Sequence, residues 1–355
     1  MTVQSATIEP TGEAVDRPVG LAQTNAARGL GLLVCVGALG LVVVLSIAIG
    51  ARDIPVATVL DALLHYDDRL DEHAIIQGLR LPRTILGLLV GVALGLSGAL
   101  IQALTRNPLA DPGILGVNAG ASFFVVLAVG IFGLSTLSGL IWFAFVGAAV
   151  TTVVVYAIGS SGRGPATPAR LTLAGVAIAA VLGGIGSGLQ LLDPQTFNVM
   201  RHWGVGSIAA PTFADINTAL PFILVGAFLA LIAARPLNAI ALGEDLAGAL
   251  GANIARTRAL VIVAVTLMAG AATAVAGPIA FVGLMVPHVA RWFVGADQRW
   301  IFGYTIVLSP ILLLVSDIIG RVVARPGEVQ VGIVTAFVGA PVLIFLVRRK
   351  RASGL

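Results

Sequence analysis

Ten stretches of about 20 residues in this chain carry almost no charge, and no other feature restricts its fold as strongly. Runs of that length match the ~30 Å hydrocarbon core of a bilayer. In lipid the backbone must satisfy its own polar groups, so helices are the available solution for such runs. They lie near residues 30–50, 84–104, 113–133, 140–158, 171–191, 216–234, 259–276, 278–294, 300–320 and 331–347. With 58% apolar and only 11% charged residues, against roughly 25% charged in ordinary soluble domains, the chain cannot clothe a surface for water. The reading is an all-α polytopic membrane protein with about ten transmembrane helices.

The stretch 259–290 is long enough for one tilted helix or two short ones. Gly277-Pro278 lies in its middle, and proline disfavours helix in the residue before it, so two spans are expected there. An even number puts both termini on one side. Of the 21 basic residues, 14 then fall in the inner loops and termini and seven outside, the bias expected of a cytoplasmic inside. The chain divides into a disordered cytoplasmic tail (1–28), a transmembrane domain (29–348) and a basic cytoplasmic C-terminus (349–355). Topology accounts for the basic residues, so nucleic acid is not an expected partner. Cys35, the single cysteine, reads as a small buried apolar side chain. No metal-ligand spacing is present, and neither metal nor cofactor is expected.

No span carries a charge in its middle third. Ion-coupled carriers commonly keep one there despite a cost of at least ~2.5–3.5 kcal/mol, so the pattern disfavours a secondary carrier. A P-loop needs a lysine against the phosphates, and Lys350, at the C-terminus, is the only lysine. No catalytic constellation is recognisable, and any ATP hydrolysis must come from another subunit. In the second span Gly87, Gly91 and Gly95 recur at intervals of four, a nearly bare helix face that serves close packing or lines a path. Gln102 and Asn118 are the polar side chains near it, as interhelical glue or pathway residues. His288, near the inner end of the eighth span, reads as structural.

Residues 235–258 are too polar to span and too apolar for a solvated linker. Glu244 and Asp245 suit a helix N-terminus, Leu246, Ala249 and Leu250 follow at helical spacing, and Gly251 suits a stop. Such a stub either docks into a groove on another protein or lies on the membrane surface.

Three long ungapped motifs resemble the FecCD family of ABC-importer permeases. They are Leu79-Arg80-Leu81-Pro82-Arg83-Thr84 continuing to Asn107-Pro108-Leu109-Ala110-Asp111-Pro112-Gly113, the loop Ala241-Leu242-Gly243-Glu244 to Leu250-Gly251, and Ala276-Gly277-Pro278 through Pro287-His288-Val289-Ala290-Arg291. Gly339-Ala340-Pro341 also matches. The resemblance covers roughly residues 30–348. It implies a type II ABC-importer permease fold in the cytoplasmic membrane, working with a second permease subunit as a homo- or heterodimer. It further implies that a cytoplasmic ATPase dimer grips Leu242, Gly243, Glu244, Asp245, Leu246, Leu250 and Gly251. An extracytoplasmic substrate-binding protein would dock its carboxylates on Arg80, Arg83 and Arg321. Iron(III)–siderophore cargo is favoured because such permeases are the commonest members, with cobalamin and haem as alternatives. One departure is Thr167-Pro168-Ala169-Arg170, where the cobalamin-type gate has small hydroxyl residues just before the arginine.

Overall fold

The computed structural model describes residues 20–22, 24–50, 54–134, 136–161 and 167–348; most of the expected N-terminal tail and the basic segment 349–355 lie outside them. Every long element is a helix: α1 (Asn25–Ala48), α2 (Val56–Leu64), α3 (Asp71–Ile75), α4 (Leu81–Thr105), α5 (Val117–Gly130), α6 (Leu137–Ser160), α7 (Pro168–Leu192), α8 (Pro194–Trp203), α9 (Phe213–Ile240), α10 (Glu244–Ala249), α11 (Ile254–Ala276), α12 (Val282–Val294), α13 (Gln298–Val323) and α14 (Val331–Arg348). Each expected span meets one helix. Among the described residues, seven helices are long and apolar enough to cross a membrane, the run Asp71–Thr105 counting as one, while Val117–Gly130, Val282–Val294 and Val331–Phe345 are shorter.

The short ones have local causes. Before α5, Pro112 opens a single 3-10 turn to Leu115 and Gly116 follows with φ +73°. A side chain on Gly116 would also press on Thr151 of α6. The expected span 113–133 is therefore helical only over its central 14 residues. The division at Gly277-Pro278 is present: α11 ends at Ala276, Gly277 turns with φ +71°, and α12 begins at Val282 rather than at Pro278. A 13-residue helix reaches only about 20 Å, and the irregular residues 277–281 provide the remainder. Such backbone is tolerated at depth only inside protein. Here Ser207 N–H donates to Ala276 O at 2.7 Å, and Gly332 N–H donates to Gly206 O at 3.1 Å.

Helix α4 is the central post; from Val90 to Leu104 its residues are nearly all buried. It packs on α13 through its glycines. A Cβ on Gly91 would lie 2.6 Å from Pro310 Cα, one on Gly87 would meet Leu314, and one on Gly95 would meet Ser309. The small residues thus let two backbones close up within one subunit. Helix α9 continues through Pro236 to Ile240, so the loop expected from 235 begins six residues later. The short helices α2, α3 and α8 lie between the expected spans. The last announces itself by Asp193-Pro194, a cap and first-turn proline: Asp193 accepts from Gln195 and Thr196 N–H.

Candidate functional site

The start of α4, the end of α13 and the end of α1 converge on an open cleft of about 260 Å³ lined by Arg80, Arg83, Arg321, Glu328, Leu79 and Gly50, among others. Arg80, Arg83 and Arg321 are therefore brought together, but they are engaged very differently. Arg83 holds Asp317 with three hydrogen bonds, Nε to both carboxylate oxygens at 3.1 and 3.0 Å and Nη2 to Oδ1 at 2.7 Å. Its Nη1 donates to Glu328 Oε2 at 2.7 Å. Arg321, only 2% exposed, pairs with the other side of Asp317 at 3.0 Å. It also donates to Ser46 O at 2.8 Å, Ile49 O at 2.7 Å and Ser46 Oγ at 3.1 Å. Arg80, 5% exposed, donates to Ile47 O at 2.8 Å and to Ala48 O. Arg325 donates to Gly50 O at 2.7 Å.

The last carbonyls of a helix lack intrahelical donors and carry the negative end of its dipole. Guanidinium groups from two other helices and the turn after α13 meet that need at α1. Burying a guanidinium is costly unless it is paired and hydrogen-bonded. Asp317, 1% exposed, shared by Arg83 and Arg321, provides the pairing. Nothing local in the sequence marks Asp317, Glu328 and the α1 carbonyls as the partners of these arginines.

At the opposite end of the bundle, α10 stands where a stub helix is expected. Gly243 precedes it with φ +112° and Gly251 follows with φ +84°. Ala247 is fully buried, while Leu242, Leu246 and Leu250 are exposed. Glu244 is held by Arg258 at 3.2 Å, fixing the stub to the start of α11; Asp245 follows it in the first turn. Gln102 is fully buried: its Nε2 donates to Gly283 O and Leu284 O at 3.2 and 3.0 Å, and its Oε1 accepts from Arg291 at 2.7 Å. It bonds α4 to the first and last turns of α12. His288 is buried with its ring edge-on to Trp292. Thr167 caps α7, its Oγ1 accepting from Arg170 N–H.

Asn118 accepts from Thr273 Oγ1 at 3.0 Å and lines a second open groove, about 280 Å³, with Ser122, Phe123, Gly186, Ser187 and Gln190. This groove lies between α5 and α7. On α7, Gly183, Gly184 and Gly188 have nothing within 4 Å of an added Cβ. The sequence signal was the string Gly183-Gly184-Ile185-Gly186-Ser187-Gly188, which the span count passed over.

A bundle of this helix order, with an irregular break before α12 and a stub helix fixed to one end, defines a multi-pass membrane permease. Residues 38–349 match the model of the FecCD transport family. The chain belongs to that family. It is 51% identical over 310 residues, 87% of this chain and 92% of the other, to the ferric enterobactin transport system permease protein FepD of Escherichia coli. It is 40% identical to the iron(3+)-hydroxamate import system permease protein FhuB of Bacillus subtilis, covering 90% of this chain and 82% of that one. Among solved structures, a metal-chelate type ABC transporter in an inward-facing conformation superposes with a TM-score of 0.79 at 28% identity, covering 91% of this chain and 99% of that one.

Proposed function

We propose that the chain is the permease subunit of an ATP-driven importer that carries an iron(III)–siderophore complex across the cytoplasmic membrane. The observation that carries this reading is the 51% identity to a ferric enterobactin permease over nearly the whole of both chains. Both termini are cytoplasmic in this reading, which the distribution of basic residues supports. A cytoplasmic ATPase dimer supplies the hydrolysis and engages the exposed leucines around α10. The substrate-binding protein docks at the opposite, outer end, where Arg83 is the guanidinium nearest the surface. A second permease subunit faces α7. Glycines with open space beside them leave the helix short of contacts within one chain, and a close neighbouring backbone or a passage for cargo explains that better than lipid. The polar groove of Asn118, Ser122, Ser187 and Gln190 then lines the route. The chelate passes by alternate opening of the paired subunits.

The test is energy-dependent uptake in a strain lacking this gene, with and without its restoration. Ferric enterobactin, a ferric hydroxamate, haem and cobalamin are offered in parallel. Rescue of a ferric siderophore alone, lost when the partner ATPase is inactivated, is expected. Rescue of haem or cobalamin alone would change the cargo; rescue that survives ATPase loss but collapses with the ion gradient would make the chain a secondary carrier.

A further inference from the structure

The outer cleft holds three arginines, yet they do not offer a partner the same thing. Nη1 of Arg80 and Nη1 of Arg321 both reach inward to the end of α1, and both side chains are almost completely buried. Arg83 turns Nε and Nη2 to the buried Asp317. Its Nη1 points the other way, to Glu328, whose side chain is 35% exposed against 1% for Asp317. Glu328 sits on the turn that follows α13, where Val329 N–H folds back onto Gly320 O at 3.0 Å. Nη1 of Arg83 thus looks towards the more exposed side of the cleft, and a carboxylate of this chain already occupies it.

We propose that Glu328 is an internal stand-in for the docking partner's carboxylate, and that the binding protein seats itself by exchanging with Glu328 on Arg83. The inference rests on the docking reading above. The exchange is physically cheap on one side of Arg83 and expensive on the other. A solvent-facing ion pair is worth ~0.2–1 kcal/mol, so Glu328 is readily displaced. Asp317 is shared by two guanidinium groups in a buried setting, where removing a partner is strongly unfavourable, so it stays. Arg83 keeps its orientation through Asp317 while its outer donor changes hands. The partner chemistry that fits is an acidic side chain at the tip of the binding protein, met by one guanidinium edge with Leu79 and Ile75 beside it.

The experiment measures binding-protein affinity for the whole transporter, permease with its ATPase in nanodiscs, at low ionic strength. With Glu328→Gln the competitor is gone, and affinity should rise by up to about fivefold, the upper end of what an exposed pair supports. Glu328→Ala should behave alike. In an Arg83→Gln background the same change should do nothing, because the two residues then share no interaction; a general structural effect would persist there. Weaker or unchanged binding in both Glu328 variants would overturn the exchange, the docking reading surviving as long as Arg83→Gln, shown to be folded by its unfolding temperature, weakens binding. If Arg83→Gln leaves binding intact, the docking reading falls and this inference with it.

Discussion

Arg83 donates three hydrogen bonds to the carboxylate of Asp317, 234 positions further along the chain. Since Arg321 uses the same carboxylate from the far side, one buried carboxylate joins two guanidinium groups at this end of the bundle. Removing the anion takes the ion pair from the buried Arg321 and leaves Arg83 with Glu328 alone. Asp317→Asn is expected to destabilise the protein by about 3–5 kcal/mol, seen as a large drop in unfolding temperature in detergent and loss of mature protein from the membrane. A variant of unchanged stability would mean that the cluster is solvated in the membrane.

A second expectation concerns the α4–α13 contact. Gly91 faces the backbone of Pro310, with room for no Cβ. Gly91→Leu should cost at least the ~1–3 kcal/mol typical of overpacking, and Gly91→Ala less. Gly37→Ala, on the exposed side of α1, where an added Cβ meets nothing within 4 Å, should be neutral. The comparison is read from thermal unfolding of the three variants.

The exposed leucines around α10 give a third. Leu246→Asp should leave the folded permease intact, because the side chain points away from Ala247 and the α9–α11 contact. It should weaken co-purification with the ATPase and abolish ATP-dependent uptake. Full uptake with Leu246→Asp, and again with Leu242→Asp and Leu250→Asp, would assign the stub to the membrane surface instead.

A fourth tests the pairing of subunits. With Cys35, the only native cysteine, replaced by serine, a cysteine introduced at Gly184 or Gly188 should form a cross-linked dimer under mild oxidation, since disulfides require Cα atoms within about 7 Å. Absence of any cross-link at Gly183, Gly184 and Gly188 would place the second subunit elsewhere.

Acidity offers a fifth check at Asp111, between the 3-10 turn and the end of α4. Burial pushes its carboxyl above the usual range, against the opposing Gly113 N–H. A raised folded value means the group favours the folded state when protonated. Its contribution is full at acid pH and is lost as pH rises through the folded value. Asp111→Asn keeps an oxygen for Gly113 and should flatten that dependence, measured as unfolding temperature against pH.

The helices were legible because lipid demands long apolar runs, and Gly277-Pro278 marked the break because its effect is local. The stub at Glu244–Ala249 was legible for the same reason: its acidic start and glycine stop lie within eight residues. The cluster around Asp317 was not. Arg321 meets α1 across 275 positions and Arg83 meets Asp317 across 234, and no spacing rule registers such partners. An arginine near a span end reads alike whether it faces a partner or reaches for a carbonyl. Glycines are similarly mute: those of α4 face a neighbouring helix and those of α7 face open space, though both appear as short repeats.

Helix α1 is exposed along most of its length, yet it is secured at both extremities. Tyr304 of α13 holds Arg28 O at 2.8 Å at one end, and Arg80, Arg321 and Arg325 hold the carbonyls at the other. A rod pinned at both tips to the same neighbour cannot slide or tilt against it without breaking every pin together. Helices α1, α4 and α13 therefore travel as a single frame, and the displacement that admits and releases cargo is to be sought in the wall carrying α5 and α7.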